Sequence, residues 1–452
     1  MKGRLKDACH VVTLLAAFSC SGCLFASVGT NDPVELRFTY WGGPLEREAV
    51  ETLISTFNNE HPGIQVRAQL VPINSYVEKM NVMAASKTLP DVGYFPEGSL
   101  YPWVENGMLR DLTPLLTGNE ANEKLDYTLY QFHDGPIAGG SVANEVINIY
   151  YNKQLFAEAG VELPPTKAEE AWSWDEFVEV AKRLTVDRNG RRANEPGFDE
   201  NRIETYGVSN FTGWIDSFLF SNGGGFVDET GKQLMIDQPE SIEVLQHVAD
   251  LMYVHHVMPK PSDLSTVPAT DTALLTKRVA MAVDGQWAMQ ELGRASVEDG
   301  LDFGIGVLPY FEQPATTNYG TPIVAFETGK QGEHRQAVDT FLTYIMDPEN
   351  VLMLINEGLW MPNETAWYED REKIERWIDT PIHPPEYEEA VIDWAKDYVV
   401  QNPNYFWDDR QKAGDIISPA LDQLWLNNKT AEEVVHEDIM PRMKRQFGDK
   451  YE

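Results

Sequence analysis

The stretch Trp41-Gly42-Gly43-Pro44-Leu45-Glu46 brings together three kinds of group that can hold a small molecule without reacting with it. An indole offers an apolar face, a glycine pair lets backbone approach a ligand closely, and a carboxylate accepts hydrogen bonds. Without a ligand, the same residues would be a hydrophobic plug and a first-turn acid favouring a helix dipole. Phe95 and Glu97 repeat the pairing of ring and acid. Tyr76, at the start of a predicted helix, could reach the same place or fill the core. Glu46 and Glu97 could also serve as the carboxylate pair of a glycoside hydrolase, but a chain with 71 acidic residues contains many such pairs, so abundance decides nothing. Metal and nucleophile chemistry have less support. His255 and His256 are adjacent rather than four apart, and HExxH, P-loop and GxSxG patterns are absent.

The elements that must carry these residues follow from hydrophobic period. Leu36, Phe38 and Tyr40 alternate as a strand; Leu45, Ala49, Val50, Leu53, Ile54 and Phe57 form a helical stripe; Ile64, Val66 and Ala68 alternate again. A second helix over Tyr76 to Ser86 and a strand in Leu89 to Phe95 complete a β-α-β-α-β series, which implies parallel strands with crossover helices. Ligands of open parallel sheets sit beyond the carboxyl ends of the strands. Trp41 to Gly43 and Phe95 to Glu97 occupy that edge, whereas Asp91 enters the third strand at the far end and reads as structural. Further strands are expected at Asn144 to Asn152, Tyr206 to Asn210, Val279 onward, Phe303 to Pro309 and Gly320 to Phe326. Ser173 or Asp175 is positioned to cap a helix. Beyond Glu333 the chain reads as mostly helical.

Composition bounds the partners. A formal charge of -35 repels phosphate backbones and anionic lipid, so no nucleic-acid partner is expected, and a neutral ligand suits the chain better than a polyanion. All three cysteines, Cys9, Cys20 and Cys23, lie in the first 23 residues, so the body must be stabilised by apolar burial rather than disulfides. Lys2, Arg4 and Lys6 before the apolar run Val11 to Phe18 have the layout of a secretory signal over residues 1–22. Ser21-Gly22-Cys23 resembles a lipobox, with Cys23 as the acylated residue. Cys20 stands where that motif usually has leucine, and an ordinary cleaved signal is the alternative. A linker over 23–33 would follow.

Several stretches occur in the order of one family: "FTYWGG" (Phe38 to Gly43), "FNNEHPGIQV" (Phe57 to Val66), "LPDVGYF" (Leu89 to Phe95), "WVENGMLRDLTPLL" (Trp103 to Leu116) and "IYYNKQLFAEAGVELPPT" (Ile149 to Thr166). "WSWDEF" (Trp172 to Phe177), "NGGGF" (Asn222 to Phe226), "VAMAVDGQWAM" (Val279 to Met289), "EGLWMP" (Glu357 to Pro362) and "SPALDQLWLNNKTAEEVV" (Ser418 to Val435) continue it. In this order the chain resembles the family 1 extracellular solute-binding proteins, the sugar receptors of bacterial ABC importers.

The resemblance implies an α/β, two-lobed periplasmic-binding-protein fold (type II-like), with the ligand cleft between lobes joined by hinge strands. It places a first lobe at 34–143 plus 319–346 and a second at 146–317 plus 348–452. It also implies no catalysis and no cofactor or metal. The partners would be a carbohydrate, the transmembrane permease subunits of an ABC transporter, and the membrane through a lipid anchor. The receptor would be a monomer in the periplasm or on the outer face of the cytoplasmic membrane. For a sugar, with its hydroxyls and patches of C–H bonds, the candidate contacts are Trp41, Gly42, Gly43, Glu46, Tyr76, Phe95 and Glu97 from the first lobe. Trp214, Trp287 and the amides of Asn222, Gly223 and Gly224 would come from the second, with Tyr319 and Thr321 beside the second hinge and Trp360 in "EGLWMP". A carbohydrate-binding surface lipoprotein without a transport role is the alternative outside transport.

Overall fold

The computed structural model describes residues 32–118 and 123–451. The expected signal peptide and Cys23 lie outside them. Among the described residues eleven strands form one curled sheet: β1 (Val34–Tyr40), β2 (Ile64–Leu70), β3 (Val92–Tyr94), β4 (Leu129–Gln131), β5 (Ile137–Asn152), β6 (Val186–Asp187), β7 (Ile203–Ser209), β8 (Val279–Gly285), β9 (Phe303–Gly306), β10 (Thr316–Ala325) and β11 (Val399–Val400). The main path runs β2-β1-β3-β10-β5-β8-β7-β6.

β1 pairs in parallel with β2 and β3, with Phe38 opposite Ala68 on one side and Val92 on the other. Helix Pro44–Glu60 makes the first crossover, and Ala49, Val50, Leu53, Ile54 and Phe57 are its buried stripe. Helix Tyr76–Ala85 makes the second. The second lobe repeats the idea: β7 and β8 are parallel, with Val208 opposite Met281, and helix Trp174–Leu184 packs on β7. Ser173 caps that helix in a reciprocal box with Glu176, so the cap falls on the first of the two candidates.

Two long strands belong to both lobes. The early part of β5 pairs with β10, through Asn318 opposite Val146 and Ile323 opposite Gly140; its later part pairs with β8 and β9. Every residue of β5 is buried, as expected of a strand covered on both faces. β10 carries an irregularity between Gly320 and Pro322. There the Gly320 amide donates to Glu97 Oε1 at 2.8 Å and the Thr321 amide to Ser141 Oγ at 2.9 Å, while Pro322 has no amide to offer. Side chains thus satisfy the backbone donors that the bulge frees.

β5 starts seven residues before the expected Asn144, because Gly139 and Gly140 supply close packing rather than strand propensity. A Cβ on Gly140 would stand 2.3 Å from the Met346 methyl. The chain beyond Asp347 packs on both lobes. Helix Pro348–Asn356 lies against helix Pro44–Glu60, and the Trp360 ring meets Tyr94 at 6.4 Å, whereas helix Arg410–Trp425 reaches both helix Pro239–Tyr253 and the turn Glu97–Ser99. No helix among the described residues is long and apolar enough to cross a membrane.

Candidate ligand-binding cleft

A cleft of about 610 Å³ opens between the lobes, with walls from each and a floor from the crossing strands. This size falls within the ordinary range of small-molecule sites.

On the first-lobe wall, β1 ends at Tyr40 and the chain turns out with Trp41. Two tyrosines hold its indole edge-on, Tyr76 at 5.1 Å and Tyr94 at 5.2 Å between ring centroids. Gly42 has φ +150°, and a Cβ there would lie 2.3 Å from Glu46 Oε2. The glycine therefore lets the Glu46 carboxylate fold back from the helix toward the cleft. Glu97 opens a short 3-10 turn past β3 and accepts the Gly320 amide.

On the second-lobe wall, Trp214 and Trp287 stand 5.2 Å apart and tilted by 52°, and Tyr319 from β10 meets Trp214 edge-on at 5.1 Å. Trp287 lies over Gly285, where a Cβ would come within 2.2 Å of its ring, so no larger residue fits beneath that indole. Tyr319 Oη points to Asp216 Oδ2 at 3.5 Å, and Asp216 also accepts from Asn402 at 3.1 Å and Asn404 at 3.0 Å.

Glu145 lies in the floor on β5, directly opposite Tyr319 in register and 5% exposed. Burial pushes the Glu46 carboxyl up to about 8 and that of Glu97 up to about 7. Glu145 is raised well above the carboxylate range by burial first, then by repulsion from Glu46 and Glu97. No Lys or Arg lines the cleft among the described residues.

Residues 43–351 match the family model described as "Bacterial extracellular solute-binding protein". The chain belongs to that family. Among curated relatives, this solute-binding protein is 24% identical over 388 residues to an sn-glycerol-3-phosphate-binding periplasmic protein, UgpB, of Brucella suis, covering 81% of this chain and 84% of the relative. It is likewise 24% identical to the putative ABC transporter periplasmic-binding protein YcjN of Escherichia coli, over 82% and 84%. Among solved structures, it resembles the ABC substrate-binding protein Lmo0181 of Listeria monocytogenes in complex with cycloalternan, with TM-score 0.73, 21% identity and coverage of 93% and 100%. The maltose/maltodextrin-binding domain of Bdellovibrio bacteriovorus bound to maltotriose gives TM-score 0.71, 18% identity and coverage of 91% and 100%. The fold is that of these two-lobed proteins, and the relatives are binding proteins rather than enzymes.

Seven of the residues marked in the sequence line the cleft of this solute-binding protein: Trp41, Gly43, Glu46, Glu97, Trp214, Trp287 and Tyr319. Gly42 does not line it; it borders a neighbouring depression with Pro44 and Arg47, and its lack of a Cβ makes room for the Glu46 carboxylate. The others are placed elsewhere. Tyr76 is fully buried with its hydroxyl 2.6 Å from Thr39 Oγ1, as a support behind Trp41. Phe95 donates its amide to Pro322 and packs in the core on Trp103 at 4.9 Å. Trp360 is 1% exposed against Tyr94, and Thr321 is buried in the β10 bulge. Asn222 gives its side-chain amide to the Glu240 carbonyl and to Glu243. The Gly223 and Gly224 amides close helix Ile215–Ser221 on the Phe220 and Leu219 carbonyls, leaving no free donors there. Glu145, Gln290, Glu291, Leu45, Ile73, Gly320 and Leu359 complete the lining. Of these, Glu145 carried a readable signal, a single acid inside the apolar run "VINIYY" and its approach.

Proposed function

We propose that this solute-binding protein is a saccharide receptor that takes a mono- or oligosaccharide into the cleft, closes on it and presents it to a membrane permease. The observation that carries the reading is the cleft lining itself. Trp41 on one wall faces Trp214, Trp287 and Tyr319 on the other, and carboxylates stand between them as acceptors for hydroxyls. The names of relatives and structural neighbours, which include a binder of cycloalternan and one of maltotriose, support the same ligand class. The glycerol phosphate named for the Brucella relative suits this cleft poorly, because a phosphate would meet four carboxylates and no cationic side chain among the lining residues.

Closure would turn on β5 and β10, moving 34–143 plus 319–346 against 146–317 plus 348–452. Residues 348–360 are the exception to that division, because their contacts with the first lobe support their moving with it rather than with 361–452. Anchoring through an acylated Cys23, monomeric action and a position outside the cytoplasmic membrane complete the proposal.

Thermal unfolding with a panel of sugars is the test, since a ligand bound only by the native state raises stability by RT ln(1 + [L]/Kd). A shift with at least one saccharide is expected, and Trp41→Ala and Trp287→Ala should each weaken that binding about tenfold or more while preserving the fold. A shift with sn-glycerol 3-phosphate and with no sugar would overturn the reading.

A further inference from the structure

Resting on the saccharide reading above, we propose that the sugar this cleft takes carries a basic amine, seated as an ammonium among Glu46, Glu97 and Glu145.

Glu145 carries the argument. Its side chain is 5% exposed, lines the cleft, and accepts no hydrogen bond and no ion pair from any described residue. A carboxylate taken out of water without a partner is strongly unfavourable, and buried charges in folded proteins are ordinarily paired. No described residue supplies the group that would pair it, and the open side of Glu145 is the cleft.

Its neighbours sharpen the charge of that group. Glu97 has one oxygen committed to the Gly320 amide, and Glu46 folds back over Gly42. Glu291, at the rim, already holds Arg294 at 2.6 Å. A hydroxyl could satisfy one lone pair of Glu145, but it would not offset the burial and the repulsion from Glu46 and Glu97 that disfavour the ionised form. An ammonium donates to Glu145 and, by its charge, favours the ionised form and offsets that repulsion. The surrounding rings of Trp41, Trp214 and Trp287 suit a sugar ring bearing the amine, through C–H contact and cation–π attraction.

The experiment is calorimetric binding at neutral pH with matched sets. These are glucosamine, galactosamine and mannosamine beside their N-acetyl and parent sugars, and chitosan di- and trisaccharides beside the corresponding N-acetylated and cello-oligosaccharides. The amine form should bind at least tenfold tighter than both counterparts in one set or more. Glu145→Gln, which keeps size and shape, should collapse that preference to threefold or less. Equal or tighter binding of the neutral forms, or an amine preference that survives Glu145→Gln, would overturn the inference and leave the saccharide reading standing. No binding by any saccharide, amine or neutral, would overturn both.

Discussion

Asp91 and Glu145 are buried to nearly the same degree, 2% and 5% exposed, and the fold treats them in opposite ways. Asp91 lies where β3 begins, at the rear of the first lobe. It accepts the Arg37 amide at 2.9 Å and stands 2.9 Å from Lys330 Nζ and 2.8 Å from His334 Nε2. Burial raises its carboxyl, but Lys330, the Arg37 amide and His334 outweigh that and hold it below the usual carboxylate range. Glu145 lies at the cleft end with no hydrogen-bond or ion-pair partner among the described residues. Where only stability is at stake, the chain completes its own charges. Where a ligand enters, the complement is left out.

The largest break in that comparison is predicted for Asp91→Ala. It removes charge-assisted bonds that bind β3, β1 and the helix carrying His334, and should cost about 2–3 kcal/mol in chemical denaturation. Glu145→Gln should do the reverse in the ligand-free protein, gaining about 1 kcal/mol near pH 8, because Gln removes an acid that the unfolded chain ionises and the folded cleft does not favour ionised. Equal losses from both changes would erase the distinction.

A second effect, of intermediate size, concerns pH. Glu46 and Glu97 have folded values raised to about 8 and about 7 from an ordinary 4.5. Their contribution is therefore full below the unfolded value and lost as pH rises through about 7 and then 8. Asp91 has a depressed value, so its contribution is present above its unfolded value and lost as pH falls through the folded one. Ligand-free protein should be most stable near pH 5 and lose up to about 1.4 kcal/mol per pH unit for each of these two acids until pH passes that acid's folded value. Denaturation midpoints measured across that range test it. A midpoint that holds level or climbs from pH 5 to 8 would show that the cleft acids are already compensated.

The same contrast explains what was legible in the sequence. The β-α-β-α-β order, the edge position of Trp41 and Glu97, and the collinear motifs are carried by periodicity and chain order, which a single sequence displays. Tyr76, Phe95 and Trp360 went to the core because a ring at a strand end can turn to either side. That choice depends on partners such as Thr39, Trp103 and Tyr94, which are distant in sequence. Ile137 to Ala143 escaped notice as strand because its glycines obey packing against Ile323 and Met346 rather than local propensity. Glu145 was visible as an acid in an apolar strand, but its lack of a partner is a three-dimensional fact.

Asp216 is the intermediate case. It is pushed upward by burial, against the influence of Arg410 first and of the Asn402 and Asn404 amides next, so a cation without a direct contact and two neutral donors share the work that Lys330 does for Asp91. Tyr319 contributes only a long contact of 3.5 Å. If the two amides suffice, Tyr319→Phe should change stability by less than about 0.5 kcal/mol, since the ring keeps its place against Trp214 and Trp287. Saccharide affinity should then fall no more than about threefold, whereas Tyr319→Ala, which removes the ring, should lose tenfold or more. A large effect from the hydroxyl alone, measured by calorimetry and denaturation together, would move Asp216 into the class of acids that need a specific partner. It would also make Tyr319 a polar contact rather than an aromatic wall.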